Sequence, residues 1–480
     1  MEKVNRINTL NSSLRKIIPI FITLSGAIIL GLIIGILCSV SSLHMNLLQF
    51  TILLFMILIS LYLSIYRQNQ LLPFIVLVWA LSPEVRRIID WLFRTYSEVS
   101  IISILPHCVS LTLLIPIIKN IGSINKRVKI IAIIMGVTLA YGFIIGFPRY
   151  GMSSLFELLN YAVPFLIFIY ISVCNLNIDV RYRWLRSISF IGVFVSVYGI
   201  YQYLILPEWD QFWMLNAGMK SIGAPEPQNF RLFSTINSPG PTGVFLGITL
   251  AIMTVNSRWR AFGLIGTMLV GFALLLTLVR SGWIAYIVII LAYLFRSQLK
   301  NKMMLITVLA VIGLAYQFLL PLLPGASSIT SRVSTLSSLE DDHSFNERIS
   351  FASNVLSSIK ENPIGRGLGS TGISSKISNN SDAVTSFDNG FLNIFYTFGL
   401  PLGLALIATL FYLAVYFFKL SRIEKEFSSL SFAIIVAILF LLTGSNIIPG
   451  IAGVLLWLII GLTFISTTKL HRKTELRRTH

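Results

Sequence analysis

Thr330 to Asn389 reads TSRVSTLSSLEDDHSFNERISFASNVLSSIKENPIGRGLGSTGISSKISNNSDAVTSFDN, and nowhere else in the chain are Ser, Asn and charge so dense. On either side the sequence is almost continuously apolar. With its lead-in from Pro321, the stretch is a single long polar interruption in a series of hydrophobic runs. Loops held on a rigid scaffold tend to carry function, so this interruption is where chemistry is expected.

The rest of the composition agrees with that frame. Of 480 residues, 55% are hydrophobic and only 12% charged, with a mean hydropathy of +0.82. Soluble domains are about one quarter charged, so the chain is read as an all-α polytopic membrane protein. A net charge of +18 would suggest nucleic acid in a soluble protein. In a membrane protein it reflects Lys and Arg collected by cytoplasmic loops, and no nucleic-acid partner is expected. The three cysteines, Cys38, Cys108 and Cys174, sit in or beside apolar runs, and no pair has metal-ligand spacing. Neither disulfides nor a metal is expected. The first run, Ile17 to Cys38, is long enough to span and lacks the small-residue cleavage site of a signal peptide.

Apolar runs near twenty residues place about fourteen spans, at 17–38, 46–66, 70–82, 100–118, 128–147, 153–174, 187–206, 239–255, 261–279, 282–296, 303–320, 390–418, 429–447 and 450–467. The third is the shortest. Four blocks follow: N-terminal helices 1–238 with an external loop 207–238, central helices 239–320, the large loop 321–389, and C-terminal helices with a basic tail 390–480. Basic clusters such as Lys126-Arg127-Lys129, Arg181-Arg183-Arg186, Arg258-Arg260 and Arg422-Lys425 then fall on one side. The positive-inside tendency makes that side cytoplasmic, together with both termini, and makes 321–389 one wall of a site facing away from the cytoplasm.

Against this topology Arg86, Arg87, Arg94, Arg149, Arg231, Arg280, Arg348 and Arg366 all lie outside. A solvated rim accounts for some of them. Arg280, in LLLTLVRSGWIAYIVII, sits between two spans joined by almost nothing and must lie at the membrane boundary. A cation there is costly unless it is paired or lines a wet cavity. The loop near 206–239 carries WDQFWMLNAGMKSIGAPEPQNFRLFSTINSPGPTG. Its aromatics suit interfacial anchors or a sugar-binding face, and its Gly/Pro/Ser-rich end suits a rigid turn re-entering the membrane.

Inside the large loop, Ser344-Phe345-Asn346-Glu347 has capping-box spacing and predicts a helix start. Ile349, Ala352, Leu356 and Ile359, with Val355 beside them, form its apolar stripe, and Pro363 and Gly365 end it. Arg348 lies near the buried edge of that stripe. Residues 367–372 match G-x-G-x-x-G, but no strand precedes them, so a dinucleotide site is excluded. The glycines with Arg366 are read either as a backbone concavity for an anion or as a flexible turn. Asp388, in FDNG before the next span, either caps that helix or orients a hydroxyl beside the arginines.

Four local pieces in this order, RLFSTINSPGPTG, LVRSGW, NERISFASNVLSSIKENPIGRGLG and FDNGFLNIFYTFGLPLG, resemble the bacterial O-antigen polymerase and O-antigen ligase superfamily of membrane glycosyltransferases. The resemblance runs over roughly 231–403 and implies a GT-C-like fold with short helices in the large extracytoplasmic loop. It implies a transferase whose donor is a polyprenyl-pyrophosphate-linked oligosaccharide, acting in the bacterial plasma membrane without cofactor or metal. Arg280 and Arg348 match pyrophosphate-contacting arginines, and Arg231, Arg366, Arg86, Arg87 and Asn389 are added as substrate-binding residues. Arg suits that role because it binds phosphate by bidentate, charge-assisted hydrogen bonds. Where similar ligases carry a His-Asn pair this chain has Asp388-Asn389, which is more like the polymerases. A carboxylate beside several arginines is a weak base, so Asp388 either activates the acceptor or only positions it.

Polymerisation of repeat units is therefore the first expectation, ligation of glycan to lipid A core or another acceptor the second. A partner that controls chain length is usual for such polymerases. A flippase of lipid-linked sugars is the reading from another class, and would call for ionisable residues near the bilayer midplane.

Overall fold

The computed structural model describes residues 45–96, 100–173, 178–218, 220–296, 343–372, 387 and 389–478. The chain divides into two compact units, Met1–Phe55 and Met56–His480, and the candidate site lies within the second. The described residues hold no strand, only a single bridge between Gly223 and Phe230. The chain is thus an all-helical, multi-pass membrane protein.

The helices are α1 (Met45–Tyr66), α2 (Gln68–Leu92), α3 (Leu105–Leu111), α4 (Leu114–Asn120), α5 (Lys126–Tyr150), α6 (Met152–Val173) and α7 (Ile178–Ile205). After a short α8 (Glu208–Ala217) come α9 (Pro239–Val255), α10 (Gly263–Leu276), α11 (Arg280–Arg296), α12 (His343–Glu361), α13 (Gly390–Leu420), α14 (Phe427–Leu441) and α15 (Gly450–Arg478). Among the described residues six stretches are long and apolar enough to cross a membrane, namely α1, the α3–α4 pair, α5, α6, α7 and α13, and four shorter apolar helices accompany them. The fourteen spans read from hydropathy are not all recovered, and the runs at 17–38 and 303–320 lie outside the described residues.

Two runs differ instructively. Run 100–118 is not one rod: Pro106 and Pro116 open two short helices flanked by 3₁₀ turns, the ring being tolerated where no helical N–H is needed. Run 70–82 is only the first half of α2. A hydropathy window stops at Glu84, Arg86, Arg87 and Asp90, but the helix continues through them, because these charges find partners inside the protein.

The helix ends sort into two groups. At one end Arg181 pairs with Glu424, Tyr182 donates to Glu426, Arg127 reaches Tyr416, and Arg296 donates to Ser421. The starts of α5, α7 and α14 therefore meet the ends of α11 and α13. The opposite end gathers the end of α2, the end of α7, α8, and the starts of α9 and α13. Every candidate residue described below sits there.

Candidate active site

Two polar segments dip from that end into the helical bundle. The first is 230–238. Leu232, Phe233, Ser234, Thr235 and Ile236 are all buried, and the Ser234 hydroxyl donates to the Val195 carbonyl at 2.5 Å. Val195 lies ten residues before the end of α7, so at a rise of 1.5 Å per residue the segment reaches about 15 Å inward. Irregular backbone at that depth survives only when protein satisfies its polar groups.

Arg87 supplies much of that satisfaction. Its side chain, 1% exposed, donates to the carbonyls of Ser234 and of Ile236 (3.0 Å), to Glu84, and lies 2.7 Å from Asp210. Gln202 accepts from the Ser234 N–H at 2.8 Å and donates to Asp210. Tyr198 contacts both Glu84 and Asp210, and Trp209 donates to Glu84 at 2.7 Å. Phe233 and Trp213 cover the guanidinium, with ring centroids 4.9 and 5.5 Å away. The loop aromatics thus pack inside the protein as the roof of an ionic cluster rather than as interfacial anchors. Burial raises the Asp210 carboxyl above the usual carboxylate range, against the opposing pull of Arg87.

The same segment braces the Arg280 turn. Arg231 donates to the carbonyls of Thr277 and Leu278, the latter at 3.2 Å, and the Leu232 N–H donates to Leu276. Leu278 has φ +52°, and two residues later the half-buried Arg280 opens α11. Arg87, Arg231 and Arg280 therefore hang on one scaffold, the contact between 231–236 and 276–280. Arg86 stands beside it, 3.5 Å from Asp90 and within 3.4 Å of Ser103.

The second segment is 363–371, the glycine stretch of the large loop. Here the break in α13 decides everything. Pro401 has no N–H, so the Thr397 carbonyl loses its helical donor, and Gly399 has φ +75°. Gly367 donates to Thr397 at 2.9 Å, Arg366 to Tyr396 at 2.8 Å, and the Leu400 N–H returns to Pro363 at 2.9 Å. On the other side Leu368 donates to Gly142 at 2.8 Å, and Gly369 to the Glu157 carboxylate. A Cβ on Gly367 would lie 2.3 Å from the Gly146 nitrogen, so only glycine permits the approach. Gly142 and Thr397 lie eight and seven residues from their helix ends, about 10–12 Å deep. The anion-cradle reading of these amides therefore takes an internal form: Gly369 binds a carboxylate of the protein itself, and the turn is a wedge, not a flexible linker.

The expected loop helix is α12, ending at Glu361 before Pro363. Its buried edge runs through Val355 and Ile359, packed with Phe351, against Tyr396, Leu392, Phe395 and Phe387. Leu356 is 46% exposed, so the stripe is turned toward the aromatic positions from where the sequence alone put it. Arg366, half-buried, donates to Ser358 at 3.0 Å and lies over the Tyr396 ring at 5.0 Å. Asn389 is the cap of α13, its side chain accepting from Leu392 at 3.1 Å. The Arg348 side chain and Asp388 lie outside the described residues. Asn389 thus holds the N-cap of α13, the role weighed for Asp388.

Sequence reading passed over Glu84, Glu157, Tyr198, Gln202 and Asp210. The signals were present: acids within or beside apolar runs, and Gly142-Phe143-Ile144-Ile145-Gly146, a G-x-x-x-G face that packs both the turn and Phe398 of α13. Among the described residues no group of His, Cys, Asp and Glu has metal-binding geometry.

The architecture is that of a polytopic membrane protein with two inward-dipping polar segments at one end. A family model described as O-antigen ligase matches residues 265–408, from α10 through the large loop into α13. Over that stretch the chain is similar to the O-antigen polymerase and ligase superfamily. It contains Arg280, Arg348, Arg366, Asp388 and Asn389 and leaves out Arg86, Arg87 and Arg231. No curated protein matches the chain significantly. The family points to a glycosyl-transferring or ligase-type activity of the O-antigen kind.

Proposed function

We propose that the chain polymerises polyprenyl-pyrophosphate-linked oligosaccharide repeat units into a surface polysaccharide, on the extracytoplasmic face of a bacterial plasma membrane. The observation that carries this reading is that one matched region holds Arg280, Arg348, Arg366 and the Asp388-Asn389 pair. An acceptor hydroxyl oxygen bonds to the anomeric carbon as the bond from that carbon to the pyrophosphate oxygen breaks. The electron pair leaves with the lipid pyrophosphate, and attack from the opposite side inverts the centre.

Arg280 at the start of α11 supports the leaving-group role. A helix N-terminus carries partial positive charge, so an Arg there finds no favourable helix dipole and an arriving anion finds both. Arg231 holds the turn that aims it. Arg87, with its donors spent on protein, positions rather than binds. Asp388 orients the acceptor hydroxyl, whose proton passes to solvent water as the new bond forms.

Ligation to a separate acceptor is the second reading, favoured by the description of the matched family. Purified protein with a synthetic polyprenyl-pyrophosphate oligosaccharide, in EDTA, separates these readings. A ladder of lengthened lipid-linked glycans is expected from the native protein. Arg280→Ala should slow it about 10²–10³-fold, the cost of losing one donor to developing charge. Transfer only on addition of a core acceptor would assign ligation. Flipping of the lipid in vesicles without any transfer would sink the enzyme reading.

A further inference from the structure

The cluster above α7 contains more acceptor oxygens than its hydrogens can serve. Tyr198 has one hydroxyl hydrogen, yet its oxygen contacts Glu84 Oε1 and lies 2.8 Å from Asp210 Oδ2. Its other close neighbour, Trp209 Nε1 at 2.8 Å, is a donor and uses a lone pair rather than relieving the shortage. If both carboxyls were ionised, one of the two oxygen–oxygen contacts would have no hydrogen in it. Charge counting gives the same result. Glu84 and Asp210 face a single cation, Arg87, and all three are almost completely buried. The remaining neighbours are neutral: Gln202, Trp209 and the Ser234 and Ile236 carbonyls. Arg86 faces Asp90, one turn further along α2.

We infer that Asp210 is held as a neutral carboxylic acid, its proton lying between Oδ2 and the Tyr198 oxygen. The Tyr198 hydrogen then goes to Glu84, which also takes the Arg87 donors, so that one carboxylate neutralises one guanidinium. Asp210 Oδ1 lies 2.7 Å from Arg87 Nε, whose hydrogen is directed to Glu84 Oε2. Of the two acids, Glu84 accepts from two Arg87 nitrogens and from Trp209, whereas Asp210 accepts only from Gln202 and is the one left short of a hydrogen toward Tyr198. Desolvation works in the same direction, since burial disfavours its charged form. The arrangement makes Asp210 a positioning residue. It completes the network that pins 234–236, and through that segment the Arg231 brace on the Arg280 turn. Ionisation of Asp210 would place an uncompensated negative charge in a dry site and loosen the anchor.

The sign of the pH dependence follows. A carboxyl whose folded pKa lies above its unfolded value near 3.9 gives stability that is complete below that value and is lost as pH rises through the folded one. The native protein should therefore lose thermal stability as pH rises from about 4 through the folded value of about 6, and Asp210→Asn should not. Asn keeps the site uncharged and offers an N–H toward Tyr198, at the cost of setting its Nδ2 against the Gln202 N–H that Asp210 Oδ2 accepts.

The test is infrared spectroscopy of the purified protein with three variants. A protonated-carboxyl band should appear in the native protein below the folded value of about 6 and fade as pH rises through it. It should shift when Asp is labelled with ¹³C, stay put when Glu is labelled, and vanish in Asp210→Asn. Asp210→Asn should retain more transfer than Asp210→Ala, which leaves the Gln202 N–H and Tyr198 unanswered and should lose at least about tenfold. Tyr198→Phe, which retains the ring, should move the band without abolishing it. No band, a band that follows Glu, or Asp210→Asn as damaging as Asp210→Ala would overturn the assignment. The rate comparison rests on the transferase reading. The band and the thermal pH profile do not, so native protein that shows both and transfers nothing refutes that reading and leaves this one standing.

Discussion

The two segments that dip into the bundle solve one problem in opposite ways. Residues 230–238 carry carbonyls inward and are met by a buried cation with its counter-ions. Residues 363–371 carry amides inward and are met mainly by backbone carbonyls, on a glycine face and on a broken helix, with the Glu157 carboxylate taking the Gly369 amide. The ionic anchor stakes its stability on a few side chains, each of which is costly to lose. The glycine anchor stakes it on the absence of side chains, so that adding one methyl group is the damaging change. Both put an arginine at the same end of the protein, Arg231 in one case and Arg366 in the other.

Variants can break each anchor separately. The largest effect is expected from Arg87→Leu. Removing the cation strands Glu84 and two inward carbonyls, at about 3–5 kcal/mol. Hydrogen exchange should rise at 231–236 while 364–371 stays protected. Equal loss of protection in both would show the anchors to be one unit. Gly367→Ala should cost about 2–4 kcal/mol, from a Cβ against backbone at positive φ. Here the exchange pattern should be the reverse. Thermal unfolding in detergent gives the magnitudes. Smallest is Pro401→Ala, which returns an N–H to compete for the Thr397 carbonyl. It should loosen the Gly367 contact by about 1 kcal/mol, with faster exchange at Gly367 alone. A stabilising result there would mean that the break in α13 contributes nothing to docking the turn.

The helical, membrane-crossing character was legible because it depends only on the length and apolarity of runs, which local sequence determines. The helix at 343–361 and its stop before Pro363 were legible for the same reason: capping and proline act over a few residues. The family resemblance, too, lay in short stretches in fixed order, and the matched region 265–408 contains most of the residues it singled out. Hydropathy misjudged α2, since a charge counts against a span unless its partner is known. The partner of Arg87, Asp210, is 123 residues away, a separation read directly from the two residue numbers.

Sequence by itself thus determined what kind of chain this is and where its arginines fall along it. It could not say what surrounds each arginine. Arg87 and Arg280 look alike in sequence, each a cation at the edge of an apolar run, yet one is wrapped in carbonyls and carboxyls and the other opens a helix. Only the tertiary structure separates them. Burying a charge is decided by whether distant groups can surround it, and that is a property of the packed fold, not of its neighbours in the chain.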